Sequence, residues 1–76
     1  CEVNGERRQT GRTRDLIFDV ATLIAYISAV TTLAPGDLIF TGTPEGVGAA
    51  QGLFLAPGDV IVTTIEGIGT LTNRCV

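Results

Sequence analysis

One stretch of the chain, Thr41-Gly42-Thr43-Pro44-Glu45-Gly46-Val47-Gly48, has residue types that ask for more than packing. Gly42 carries no Cβ, so its backbone can approach a ligand closely. Thr43 offers a hydroxyl that donates or accepts, and Pro44 stiffens the exit. Together they suit a grip on a carboxylate or keto oxygen. The loop is not a phosphate cradle of the P-loop kind: the Gly-x-x-x-x-Gly-Lys-Ser/Thr order is missing and no helix clearly begins after Gly48. Judged by residue type alone, such a loop is more often a structural turn than a binding site.

The remaining polar residues read as structural. Asp37 and Asp59 each follow a Pro-Gly pair, where a carboxylate commonly accepts turn or strand N–H bonds. Glu45 reads the same way, and Glu66 faces solvent beside its turn. Arg7, Arg8, Arg12 and Arg14 suit a solvated hairpin face or a dimer contact, with recruitment of a substrate carboxylate as the other use of an Arg fork. Cys1 and Cys75 lack metal-type spacing and fit reduced thiols, although spacing does not forbid a bridge.

Whole classes of chemistry are excluded by what is missing. With no His and no Lys among 76 residues, these residues alone build no Ser-His triad, lysine Schiff base or His-containing zinc site. The net charge is −3, and from Leu16 onward five acids (Asp19, Asp37, Glu45, Asp59, Glu66) face Arg74 alone. Nucleic-acid backbone would be repelled by most of that surface, so no nucleic-acid partner is expected. Nor is a membrane partner, since Val20–Ala34 is shorter than the roughly 20 apolar residues a span needs.

The elements that must position the loop are set by turn chemistry and periodicity. Asn4-Gly5 is a strong type I′ hairpin signal, with Glu6–Gln9 as the return arm. Asp19 is placed to cap a helix whose Val20, Leu23, Ile24, Ile27 and Val30 repeat at three-four spacing and so form one buried stripe. That helix must stop by Leu33, because Ala34-Pro35-Gly36-Asp37 suits a turn. Leu38-Ile39-Phe40 then reads as a strand buried on both faces. Twenty-two residues on, Leu55-Ala56-Pro57-Gly58-Asp59-Val60-Ile61-Val62-Thr63 echoes Leu33–Thr41, which reads as one tight turn used twice rather than a repeat architecture. The strand entered there runs to about Glu66, Gly67-Ile68-Gly69 turns it, and Thr70–Val76 pairs back. Short strands with one helix predict an α+β, mainly β fold.

A chain this short buries only about 60% of its unfolded surface, yet 45% of it is apolar and 17% charged, against a usual ~25%. Cys1-Glu2-Val3 is a short first arm for a hairpin. Residues 1–76 are therefore expected to be the closing portion of a longer protein.

From Val3 to Val76 the sequence resembles the C-terminal part of the fumarylacetoacetate hydrolase family. The resemblance is carried by Asn4-Gly5-Glu6-Arg7-Arg8-Gln9, Thr13-Arg14-Asp15-Leu16-Ile17-Phe18, Ala34–Gly48 with its Thr-Gly-Thr-Pro loop, and Ile65-Glu66-Gly67-Ile68-Gly69. It implies that residues 1–76 are the C-terminal segment of a single catalytic domain, a mixed β-sandwich roll that forms a homodimer, and the reduced-thiol reading of Cys1 and Cys75 adds the expectation that the protein is cytoplasmic. It also implies a divalent metal, Mg or Mn, and a small keto-acid substrate, either an acylpyruvate-like compound cleaved at a carbon-carbon bond or a hydroxymuconate-type dicarboxylate isomerised or decarboxylated. The family's metal ligands, a Glu-x-Glu pair and a further Asp, precede the matched region, so the metal is expected to be bound by residues outside this chain. What carries over is substrate binding by Thr43, with Gly42 giving room; no catalytic residue and no metal ligand is assigned. The alternative expectation is a non-enzymatic small β module for protein association.

Overall fold

The computed structural model describes residues 1–76, which divide into two compact units: Cys1–Thr10 with Thr43–Val76, and Gly11–Gly42.

The first unit is built on a four-stranded antiparallel sheet. Its strands are β1 (Glu2–Val3), β2 (Glu6–Arg7), β3 (Val60–Ile65) and β4 (Gly69–Arg74), in the order β2-β1-β3-β4. Asn4 and Gly5 both take positive φ, 52° and 78°, as the hairpin between β1 and β2 requires. The pairing is Glu2 with Arg7 and Val3 with Glu6. Beyond Arg7, the backbone of the return arm is no longer in the ladder and is held by the Arg8 and Gln9 N–H groups, which both donate to the Cys1 carbonyl.

The tip of this hairpin is fastened to the start of β3, 55 and 56 residues away in sequence. Asn4 N–H donates to the Val60 carbonyl at 2.8 Å. Its side chain then works at both ends, with Oδ1 accepting from Val60 N–H and Nδ2 donating to Asp59 Oδ1, each at 2.9 Å. β1 thereby joins the sheet, with Glu2 opposite Val62 and Val3 opposite Ile61. β3 and β4 pair from Val60–Arg74 to Ile65–Gly69, with Thr64 and Thr70 hydroxyls 3.0 Å apart across the ladder. The meander therefore forms as expected, with β3 ending at Ile65 rather than Glu66 and β4 at Arg74 rather than Val76.

The second unit holds α1 (Val20–Val30), preceded by a turn of 3-10 helix at Thr13–Asp15. Asp19 caps α1, its Oδ1 accepting from Thr22 N–H at 2.7 Å. This is an orphan donor of the first turn finding a carboxylate. The cap bond holds the Asp19 carboxyl below its usual pKa. At the other end Thr31 turns extended while its N–H still reaches the Ile27 carbonyl.

The structure corrects two expectations about burial. The stripe of α1 is not buried: Leu23 and Ile27 are half-covered, while Val30 is 78% exposed. Leu38-Ile39-Phe40 is neither a ladder strand nor buried, with Phe40 93% exposed. Both readings presuppose a covering layer, and this unit, Gly11–Gly42, contains no second α-helix and no sheet to supply it. No residue anywhere in the chain is fully buried. The architecture is α+β, mainly β: an antiparallel sheet with one helix.

Candidate functional site

The Thr-Gly-Thr-Pro loop is shaped by two glycines. Gly42, the last residue of the second unit, takes φ +91°, a conformation that L side chains rarely adopt. Apart from Gly42 and its two chain neighbours, no protein atom lies within 4 Å of where its Cβ would be, so the backbone angle is what calls for glycine there. Within the first unit, Gly46 takes φ +99°, and a Cβ on it would collide with the Arg8 carbonyl oxygen. Gly46 is thus the position that lets loop 43–48 lie directly against the return arm of the hairpin. A short 3-10 turn, Gly48–Gln51, comes next, although the sequence shows no clear helix start there.

That close approach brings Gln9 to Thr43. The Gln9 Nε2 donates to Thr43 Oγ1 at 2.8 Å and to the Pro44 carbonyl at 3.0 Å. Thr43 itself remains exposed. Beside it lies an open cavity of about 470 Å³, lined among others by Cys1, Arg8, Gln9, Thr43, Val47 and Phe54. Its size is in the range of small-molecule sites. Of the sequence-expected binding pair, Thr43 reaches this cavity and Gly42 does not line it. Gln9 and Gly46 are site residues that the sequence does not announce. A contact 34 residues apart leaves no mark in local pattern, and the one usable sign is a second glycine two positions beyond Pro44.

The arginines separate. Arg8 is largely covered, its side chain 26% exposed, and it pairs with Glu6 at 3.3 Å while lining the cavity. Arg14 sits 3.8 Å from Asp15 with both groups open to solvent, where such a pair contributes little. Only Arg8 is placed to meet an anion in the cavity.

Asp37 and Asp59 take the structural role read from the Pro-Gly turns. Asp37 Oδ2 accepts from Ala34 N–H at 2.7 Å, and Asp59 Oδ2 from Ala56 N–H at 2.8 Å. The bond from Ala56 N–H, and after it that from Asn4, lowers the Asp59 pKa. Glu45 and Glu66 are exposed, and Cys1 and Cys75 are unbridged. Nowhere do three His, Cys, Asp or Glu side chains gather as a cation would need. No helix is long and apolar enough to cross a membrane.

This arrangement, a glycine-shaped loop presenting a tethered threonine hydroxyl at a cavity, lies in a chain that matches a known family over its length. The family model described as fumarylacetoacetate (FAA) hydrolase C-terminal matches residues 1–76. The chain belongs to the fumarylacetoacetate hydrolase family. It is 54% identical over 74 residues to the 4-hydroxyphenylacetate degradation bifunctional isomerase/decarboxylase of Escherichia coli, covering 97% of this chain and 16% of that protein. It is 54% identical over 71 residues to the 2,4-didehydro-3-deoxy-L-rhamnonate hydrolase of a Sphingomonas species, covering 90% of this chain and 25% of that one. A crystal structure from Mycobacterium smegmatis, described as that of an HpcE protein, superposes with a TM-score of 0.90 at 53% identity, covering 99% of this chain and 28% of that one. The chain thus spans a quarter or less of the length of these two curated relatives.

Proposed function

We propose that these 76 residues are the C-terminal segment of one longer catalytic domain and form one wall of the active site of a keto-acid enzyme. The substrate would be an acylpyruvate-like compound cleaved at a carbon-carbon bond, or a hydroxymuconate-type dicarboxylate isomerised or decarboxylated. Relatives with 54% identity carry both kinds of chemistry in their names, a hydrolase and an isomerase/decarboxylase. The single observation that carries the reading is the exposed Thr43 hydroxyl at the cavity, fixed by Gln9 on the protein side.

In this reading Thr43 orients and does not attack. Its hydroxyl hydrogen-bonds an anionic or keto oxygen of the substrate, and the bond strengthens as charge grows on that oxygen during the reaction. A divalent cation, Mg or Mn, belongs to the proposal as a group held by residues outside this chain, since the family's Glu-x-Glu pair and further Asp precede the matched region. The need for a longer chain rests on packing. A helix and an extended apolar segment with nothing buried, Phe40 and Ile17 above 90% exposed, call for a covering layer. A cytoplasmic homodimer goes with the same reading.

The test is to express the full-length protein from its gene and assay it with Mg or Mn against acylpyruvates, oxaloacetate and hydroxymuconate-type dienes. Turnover of one of these, lost in the 76-residue chain alone, is the expected result. A full-length protein that turns over none of them, or a Thr43→Ala variant with undiminished activity, would overturn it and return the small association module to consideration.

A further inference from the structure

We infer that Gln9 is a positioning residue that sets the polarity of the Thr43 hydroxyl, so that Thr43 presents a proton, and not a lone pair, to the cavity. This deepens the proposed function and rests on it.

The partners within reach dictate the polarity. The Pro44 carbonyl is an acceptor only, and Gln9 meets it at 3.0 Å. The Gln9 amide must therefore turn its NH₂ end toward the loop, because its carbonyl end has nothing to offer Pro44. That same nitrogen lies 2.8 Å from Thr43 Oγ1, so both of its hydrogens are committed, one to each partner. Thr43 is thereby obliged to accept from Gln9, and its own hydrogen is left to point away from the amide. A hydroxyl constrained to donate prefers an acceptor-only partner such as a carboxylate or enolate oxygen, and a substrate hydroxyl gains less from it.

The rest of the hairpin keeps Gln9 where it must be without using its side chain. The Gln9 N–H donates to the Cys1 carbonyl, and the Cys1 backbone nitrogen donates to the Gln9 carbonyl at 2.9 Å. Gly46 permits the approach, since any side chain there would collide with the Arg8 carbonyl and press on Gln9 Cγ. Replacing the side chain of Gln9 thus removes the polarity device and leaves the backbone frame in place.

The experiment uses the full-length protein, active on its keto-acid substrate, with oxalate as an acceptor-only probe of binding. Gln9→Glu keeps the shape but repels the Pro44 carbonyl and accepts from Thr43, turning the hydroxyl's proton inward. Gln9→Ala simply frees the hydroxyl. We expect Gln9→Glu to lose more than Gln9→Ala, with Gln9→Ala down roughly tenfold in kcat/KM and in oxalate affinity, the loss of one orienting hydrogen bond. In a Thr43→Ala background Gln9→Ala becomes nearly silent in kcat/KM and oxalate affinity, because the amide acts on the substrate through that hydroxyl. Thermal unfolding of each variant separates this from misfolding, since a merely structural glutamine would lower Tm equally with or without Thr43. Gln9 variants as active as the parent, or a Gln9→Ala loss that adds to that of Thr43→Ala, would overturn the inference while the Thr43 reading stood. Undiminished activity in Thr43→Ala alone would overturn both.

Discussion

Ala34-Pro35-Gly36-Asp37 and Ala56-Pro57-Gly58-Asp59 are the same four residues and fold into the same turn. In each, glycine takes a nearly identical positive φ, +95° and +94°. The aspartate N–H donates to the alanine carbonyl at 3.1 Å in both, and the aspartate carboxylate accepts from the alanine N–H. The chains then part. After Asp59 comes a six-residue strand paired on both sides, and after Asp37 comes an apolar segment without a ladder.

Part of the difference lies in the residues just past each turn. Val60-Ile61-Val62-Thr63-Thr64-Ile65 runs on without interruption, whereas Leu38-Ile39-Phe40-Thr41 meets Gly42 where the second copy has Thr64. Gly42 at φ +91° bends the chain out of strand geometry. Thr43, where the second copy has Ile65, is then free to serve a cavity. The other part is tertiary. β3 has Asn4 of the hairpin to fasten its first residue, and Leu38 has no such partner. The same local motif leads into a framework strand in one copy and into the Thr-Gly-Thr-Pro loop in the other.

Substitutions in the two copies put this contrast to the test. The largest effect is expected from Thr43→Ala in the full-length protein, a loss of about 100-fold in kcat/KM, the range found when one oxyanion donor is removed. Steady-state kinetics with metal titration checks it, and metal affinity should stay nearly unchanged. Gly42→Ala comes next: forcing a Cβ into positive φ costs about 1–3 kcal/mol, read as a fall in Tm and in kcat/KM together. Thr64→Gly, its counterpart in the second copy, should loosen only the β3–β4 ladder and spare the substrate affinity.

The two aspartates give a smaller and more pointed test. Asp59→Asn should lower Tm more than Asp37→Asn, because Asp59 also accepts from Asn4 and so ties the hairpin to β3. The lowered Asp59 pKa makes this contribution pH-dependent with a defined sign. A carboxyl whose folded pKa lies below its unfolded value stabilises fully above the unfolded value, and that gain is lost as pH falls through the folded one. Acid titration of Tm should therefore show a steeper decline below about pH 4 in the parent than in Asp59→Asn. The smallest effect is expected for Asp19→Ala. It removes the cap of α1 and the same kind of acid-side dependence, read as fraying of the first turn by amide hydrogen exchange.

The local features were set by the sequence itself, because each depends on a few neighbouring residues. Asn4-Gly5 dictated a turn with two positive φ angles, Asp19 dictated a helix start, and each Pro-Gly-Asp dictated its own carboxylate-closed turn. The Thr-Gly-Thr-Pro loop was legible as a candidate site for the same reason, and as a family mark. What only the tertiary structure decided was which apolar segments pair and which polar groups meet across the chain. Leu38–Phe40 and β3 look alike as strings, and they differ because strand pairing and burial require a partner surface that residue type does not supply. Gln9 reaches Thr43 across 34 positions only because the hairpin, the sheet and the bare Cα of Gly46 put them side by side. A hydrogen bond is a matter of about 3 Å, and distances of that order between remote residues exist only once the chain has folded.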